Sequence, residues 1–173
     1  MRRNLPFVAA FVLALLVVLA MSMFTVDQRR FAIVFQLGEI KDVITEPGLN
    51  FKWPLIQNVR TFDKRILTYD AAEPERFITS EKKPVLVDAF VKWRIIDVRQ
   101  YYISVQGDEA LASTRLAQTV NGGLRDEFSK RSVHDVVSGE REQIMEAVRT
   151  KADADARAIG VQIVDVRLKR VDL

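Results

Sequence analysis

The chain has 173 residues, with 26 lysines and arginines against 23 aspartates and glutamates and a formal charge of +3. Arg2 and Arg3 are the only charges in positions 1–26, so the remainder carries 24 basic against 23 acidic residues. That balance removes the basic excess that nucleic-acid binding needs, and no nucleic acid is expected as a partner. Cysteine is absent, which excludes disulfides and thiolate metal sites.

The first element is the apolar stretch from Leu5 to Val26. Between Arg3 and Asp27 lie 23 residues without a charge. About 20 such residues in a helix rising ~1.5 Å each span the ~30 Å hydrocarbon core of a bilayer. A cleaved signal peptide, with Ala20-Met21-Ser22 as its small-residue site, is the other reading. Signal-peptide apolar regions run about 7–15 residues, shorter than this one, so the expectation is an N-terminal transmembrane anchor. Arg2, Arg3 and the terminal amine precede it and Arg29 and Arg30 follow it. That slight positive-inside bias favours a cytoplasmic N-terminus and a translocated body.

After the anchor, Phe31–Phe35 predicts a strand, Leu37-Gly38 a turn, and Glu39–Thr45 a strand folding back as a hairpin. Pro47-Gly48 predicts a tight turn, with proline and glycine at its two corners. Trp53, Leu55 and Ile56 follow within a short distance of the anchor. Two readings fit them: a shallow contact at the headgroup level, where amphipathic rings concentrate, or a tryptophan filling the core. Val59–Tyr69 reads as one strand and Phe77–Thr79 as a short one, with a charged turn at Ser80–Pro84. Val85–Ile96 alternates cleanly: Val85, Val87, Ala89, Val91, Trp93 and Ile95 share one face, as expected of an antiparallel sheet with one covered side.

The period then lengthens. Asp97 can cap a short helix through Tyr101 and Tyr102. Leu116, Val120, Leu124 and Phe128 mark an amphipathic helix over Glu109–Lys130, in which Asn121-Gly122-Gly123 sets either a break or a stretch held helical by tertiary contacts. Ser132 with Asp135 resembles a capping box, and Ser138 with Glu140 and Glu142 marks a second helix start. Ile144, Val148, Ala152 and Ile159 predict the buried stripe of a helix stopped by Gly160, and Val161–Val171 a final strand. The fold class is α+β: an N-terminal transmembrane helix, then a mainly antiparallel sheet with packed helices.

Six segments in order resemble the stomatin/prohibitin/flotillin/HflK-HflC superfamily (SPFH, band 7), nearest its bacterial HflC branch. They are Arg30–Gly38 (RFAIVFQLG), Glu46–Ile56 (EPGLNFKWPLI), Asp63–Thr68 (DKRILT), Arg76–Lys83 (RFITSEKK), Val87–Asp97 (VDAFVKWRIID) and Gly160–Leu173 (GVQIVDVRLKRVDL). The resemblance implies a transmembrane anchor at 1–26, a β-rich first SPFH subdomain at 27–96 and an α/β second subdomain at 97–173. It further implies a body on the periplasmic side of the inner membrane, joined with an HflK-like paralogue in a large ring or cage. Such a cage encloses the FtsH-like membrane protease and modulates its access to membrane substrates, with the lipid bilayer as the remaining partner. Members of this branch usually continue past the position of Leu173 into a long charged helical segment, and many carry an insertion before the closing strand. Here Lys151–Ile159 passes directly into Gly160, and the chain is expected to be a fragment of a longer protein.

No catalytic set stands out. Ser132, His134 and Asp135 are residue types of a hydrolase triad, but triad members usually converge from separate parts of a fold, and a helix start explains Ser132 and Asp135. One histidine and no cysteine make a poor zinc set, the glycines form no phosphate-binding loop, and no cofactor is expected. Of the basic patches, Arg167, Lys169 and Arg170 are candidates for contact with a neighbouring protomer. Strand alternation would put Arg167 and Lys169 on one side, Leu168 and Arg170 on the other. The expected function is an anchored scaffold regulating a membrane protease. An anchored periplasmic hydrolase using His134 and a lipid-domain organiser without a protease partner are the alternatives.

Overall fold

Contacts divide the chain into two units, Met1–Asp63 and Lys64–Leu173. The computed structural model describes residues 5–71, 73–136 and 141–172, excluding the side chains of 5–10 and 14.

The first unit runs α1 (Leu5–Ser22), β1 (Met23–Val26), β2 (Arg30–Gln36), β3 (Glu39–Ile44), β4 (Gly48–Phe51) and β5 (Gln57–Asp63). The helix stops earlier than the apolar run does. Met23–Val26 leaves it to pair antiparallel with β4, Met23 opposite Phe51 and Val26 opposite Gly48. Eighteen residues at ~1.5 Å reach about 27 Å, just under the ~30 Å of a bilayer core. Among the described residues, no helix is long and apolar enough to cross a membrane. The expected anchor through Val26 is therefore corrected at its C-terminal end: Met23–Val26 is strand.

The apolar run of β2 lies between β3 and β5, antiparallel to both. Phe31 to Phe35 are all buried, as a central strand covered on both faces requires. The β2–β3 hairpin turns at Leu37 (φ 52°) and Gly38 (φ 93°), the two positive values of a turn whose twist suits a two-residue hairpin. Glycine adopts such a φ freely; for leucine it costs about 1–2 kcal/mol. The expected single strand over Val59–Tyr69 is two strands. β5 ends where its register with β2 runs out, at Asp63 opposite Arg30, and Leu67 onward pairs with a different strand.

The second unit contains β6 (Leu67–Asp70), β7 (Glu75–Ile78), β8 (Pro84–Ile95), α2 (Val98–Val105), α3 (Glu109–Ser129), α4 (Arg141–Arg157) and β9 (Val161–Asp172). β8 is its spine: β9 runs antiparallel along one edge, while β6 and β7 share the other, all antiparallel. Those pairings join β8 to the elements that follow it, so contacts draw the division after Asp63, whereas the sequence expectation drew it after Ile96. Val85, Val87, Val91, Trp93 and Ile95 are buried in the alternation the sequence predicts.

The helices close over that face. Asp97 caps α2, accepting from Gln100 N–H at 3.0 Å, and Asp108 caps α3, accepting from Ala110 N–H at 2.8 Å. α3 is continuous through Gly122 and Gly123. The second glycine allows close packing, since a Cβ there would stand 3.3 Å from Val148 Cγ1 of α4. Phe77 of β7 and Phe128 of α3 meet edge to face, centroids 5.4 Å apart. The buried stripe of α4 is Ile144, Val148, Ala152 and Ala156. Ile159, expected to complete it, lies beyond the helix end and is half-buried, because the chain has left helical geometry by Gly160 (φ 80°). The start expected at Ser138 and Glu140 lies outside the described residues.

Candidate membrane contact site

The most exposed apolar side chains of the first unit's strands and loops lie in the β1–β4 ribbon, in the segment joining β4 to β5, and at the β2–β3 turn. Residues directly opposite in an antiparallel pair share a face. Met23 with Phe51, and Thr25 with Leu49, therefore line one side of the ribbon, and Met23, Leu49 and Phe51 are all exposed. Val26, on the other side, is buried.

Beyond Phe51 the chain is latched to the end of α1. Lys52 N–H donates to the Ser22 carbonyl at 2.8 Å, and Ser22 Oγ donates to the Lys52 carbonyl at 2.6 Å. The next residues form a tight loop: Gln57 N–H donates to the Trp53 carbonyl (2.9 Å), and Trp53 N–H donates to Gln57 Oε1 (2.9 Å). This loop holds Trp53, 70% exposed, and Leu55, 94% exposed, with Ile56 also exposed. The core reading of Trp53 is overturned, since its ring is in the open. Val18, Leu19 and Ser22 of α1 with Phe51, Lys52, Trp53 and Pro54 line a cavity of about 240 Å³. All three candidate contact residues thus sit in one loop, tied to the foot of an apolar helix by one backbone hydrogen bond and one from the Ser22 hydroxyl. The sequence reading missed Leu49, Phe51 and Met23, although the alternation in Gly48-Leu49-Asn50-Phe51 carries the signal.

The basic candidates belong to β9 of the second unit. Each carries an ion pair within its own unit: Arg167 Nε to Asp165 Oδ2 at 2.9 Å, Lys169 to Asp70, and Arg170 Nε to Asp172 Oδ2 at 2.7 Å. Asp70 holds the Lys169 ammonium above its usual pKa, chiefly by their hydrogen bond. The expected alternation fails here. Asp88 pairs with Arg170 and Ala89 with Leu168, so Lys169 is the extra residue of a bulge, and Lys169 and Arg170 are both exposed. Nearby, α4 and β9 flank a groove of about 460 Å³ lined by both signs of charge, including Arg141, Glu146, Arg149, Asp165 and Arg167.

Ser132 and Asp135 form a helix start. Ser132 N–H donates to Asp135 Oδ2 (3.1 Å), Asp135 N–H donates to Ser132 Oγ (3.3 Å), and Ser132 Oγ donates to Asp135 Oδ2 (2.7 Å). Those bonds from the Ser132 hydroxyl and backbone lower the Asp135 pKa, with His134 and Arg131 adding a smaller electrostatic pull. The hydroxyl that a triad would have to present to an imidazole is given directly to a carboxylate. Among the described residues, no group of three or more His, Cys, Asp or Glu is placed to hold a metal ion.

The family described as SPFH domain / Band 7 matches residues 24–173. The chain is 42% identical over 149 residues to a protein named HflC from Haemophilus influenzae, covering 83% of this chain and 50% of that one. It is 35% identical over 199 residues to HflC from Vibrio cholerae, covering 94% and 61%. Against the protein named modulator of FtsH protease HflC from Escherichia coli K12 the figures are 31% over 212 residues, 96% and 63%. The chain spans 50–63% of the length of these relatives.

Proposed function

The chain belongs to the SPFH domain / Band 7 family, and we propose that it is an HflC-like, membrane-anchored scaffold that regulates an FtsH-like membrane protease. The observation that carries the reading is the joining of α1 to an exposed aromatic loop through the Ser22–Lys52 hydrogen bonds. In this reading α1 supplies the apolar part of a single-pass anchor. A span of this length is accommodated by modest thinning of the bilayer and by interfacial side chains at its ends. Arg2 and Arg3 serve one end, and Trp53, Leu55 and Ile56 the other. Trp53 rests at the headgroup level, where one side of an indole meets lipid and the other water. The N-terminus is cytoplasmic and the body periplasmic at the inner membrane.

The second unit is the assembly module. Arg167, Lys169 and Arg170 contact the neighbouring protomer in a ring or cage shared with an HflK-like paralogue. Their internal ion pairs are exposed and worth little on their own, so exchange for partners across an interface costs little. The protein acts by enclosing the protease and has no catalytic centre of its own. The names of the relatives support the link to FtsH.

The test is isolation of the tagged native protein from inner membranes in mild detergent. Co-isolation of the protease and an SPFH paralogue in a large assembly is expected. A stable monomer free of both would overturn the proposal. A large assembly without protease would leave a lipid-domain organiser.

A further inference from the structure

Asn121-Gly122-Gly123 lies in the middle of α3, and neither anchoring nor assembly requires it. An asparagine followed by glycine is open to intramolecular attack. The glycine nitrogen can reach the asparagine side-chain carbonyl carbon because no Cβ shields it. The chain has four asparagines; Asn4, Asn50 and Asn58 precede leucine, phenylalanine and valine, and Asn121 alone precedes glycine.

Two restraints in the fold oppose the attack. Within α3 the Gly122 N–H is committed to a carbonyl one turn back, which holds its nitrogen off the Asn121 side chain. Asn121 Nδ2 also donates to Glu75 Oε1 of β7 at 2.7 Å, and both residues are half-buried. Two consecutive glycines work against those restraints, since they give this stretch the poorest helix propensity in α3. Packing on Val148 accounts for Gly123, but a Cβ at Gly122 would meet nothing.

From these contacts we propose that Asn121 is a deamidation site, latched by Glu75 and released when the middle of α3 opens from β7. On release the Gly122 nitrogen bonds to Asn121 Cγ and the Cγ–Nδ2 bond breaks. Ammonia departs with the Gly122 amide proton, leaving a five-membered succinimide. Water then adds to one of the two ring carbonyls and opens the ring to aspartate or isoaspartate. Water is the only co-reactant, and the loss of ammonia makes the change permanent.

Neither product fits the closed contact. Aspartate turns a second carboxylate on Glu75 where the amide had offered an N–H. The cavity beside them, about 10 Å³, holds no more than about one water to separate the two charges. Isoaspartate lengthens the backbone just before Gly123, Leu124 and Phe128, which carry the buried face of α3 onward. A chain that has opened at this point is thereby marked and kept from closing as before.

The test follows the tryptic peptide Leu116–Arg125 by mass spectrometry while the full chain is held in mild detergent at mildly alkaline pH. In urea, conversion at Asn121 should outrun that at Asn50 and Asn58, and in the folded chain it should be slow. Glu75→Ala removes the latch and should speed conversion in the folded chain about tenfold, as loss of a hydrogen bond to a charged group implies. Glu75→Gln keeps an acceptor oxygen and should stay near the parent rate. Ser132→Ala weakens the same unit away from this contact and should change the rate less than about twofold. Gly122→Ala, which leaves the packing intact, should suppress conversion both folded and in urea. No preference for Asn121 in urea, or full conversion in Gly122→Ala, overturns the site. A Glu75→Ala rate equal to the parent's, or matched by Ser132→Ala, overturns the latch.

Discussion

Replacing Gly160 by alanine is expected to be the most damaging single-methyl change in the second unit. Gly160 sits at φ 80°, where an L-residue loses about 1–2 kcal/mol. The added Cβ would also stand 2.6 Å from Tyr101 N and 3.1 Å from Gln100 C, with the Asp97 carbonyl oxygen closer still. All three are backbone atoms of the α2 start and cannot swing aside as a side-chain tip can. The strain is relieved by moving the α4–β9 turn away from α2. That movement breaks the bonds from Ile96 N–H and Asp97 N–H to the Gly160 carbonyl, each 3.0 Å and worth a net ~1 kcal/mol. The expected loss is about 3–5 kcal/mol, a large share of the ~5–15 kcal/mol that holds a domain together. Urea unfolding in mild detergent reads it through buried Trp93, in a Trp53→Phe background that silences the exposed indole. An unchanged denaturant slope with a midpoint shift worth less than about 1 kcal/mol would refute the steric reasoning.

The two adjacent glycines of α3 should respond unequally. A Cβ at Gly122 meets nothing, so Gly122→Ala is expected to stabilise by up to about 1 kcal/mol through helix propensity. Gly123→Ala gains the same propensity but presses on Val148 of α4, and thermal unfolding should show it clearly less stable than Gly122→Ala. Ser132→Ala removes one half of the reciprocal cap and should cost about 1 kcal/mol by the same assay. Under the proposed scaffold role, His134→Ala should leave regulation of the membrane protease at its original level, and a loss would reopen a chemical role for the imidazole. Tyr101 is pushed up to about 12, first by burial and then by Glu109 and Asp108. Since the folded state holds this proton more tightly than the unfolded chain, its contribution is whole below pH ~10 and is lost as pH rises towards 12. Phenolate absorbance should therefore show one of the three tyrosines ionising late, together with unfolding. Titration of all three near 10 in the folded protein would contradict this.

Much of the second unit is legible from side-chain period alone. The alternation in Val85–Ile95 survives because one face of β8 is covered and the other is not. The Ser132–Asp135 box and the Asp97 cap survive because their partners lie within three residues. What stays hidden depends on distant partners. Met23–Val26 continues an all-apolar run, in which helix and strand look alike, and becomes a strand only because Gly48–Phe51 is there to pair with it. The bulge at Lys169 leaves no mark in a sequence read at period two, so the side on which Arg170 lies was misjudged. Gly160 signals that α4 ends but not how early, and Ala156 rather than Ile159 takes the last buried position. At the candidate contact site, Trp53, Leu55 and Ile56 are conspicuous as residue types. Their exposure is fixed by the loop bonds to Gln57 and Ser22, which the sequence does not display.

The central claim is that the exposed end of the first unit rests in a bilayer surface. It is tested most directly by tryptophan quenching in the full chain carrying Trp93→Phe, which leaves Trp53 as the sole indole. With nitroxides placed at increasing depth along the lipid acyl chains, Trp53 should be quenched most strongly by the shallowest label. A Trp53 that no bilayer-embedded quencher reaches, while water-borne iodide quenches it freely, would contradict the account.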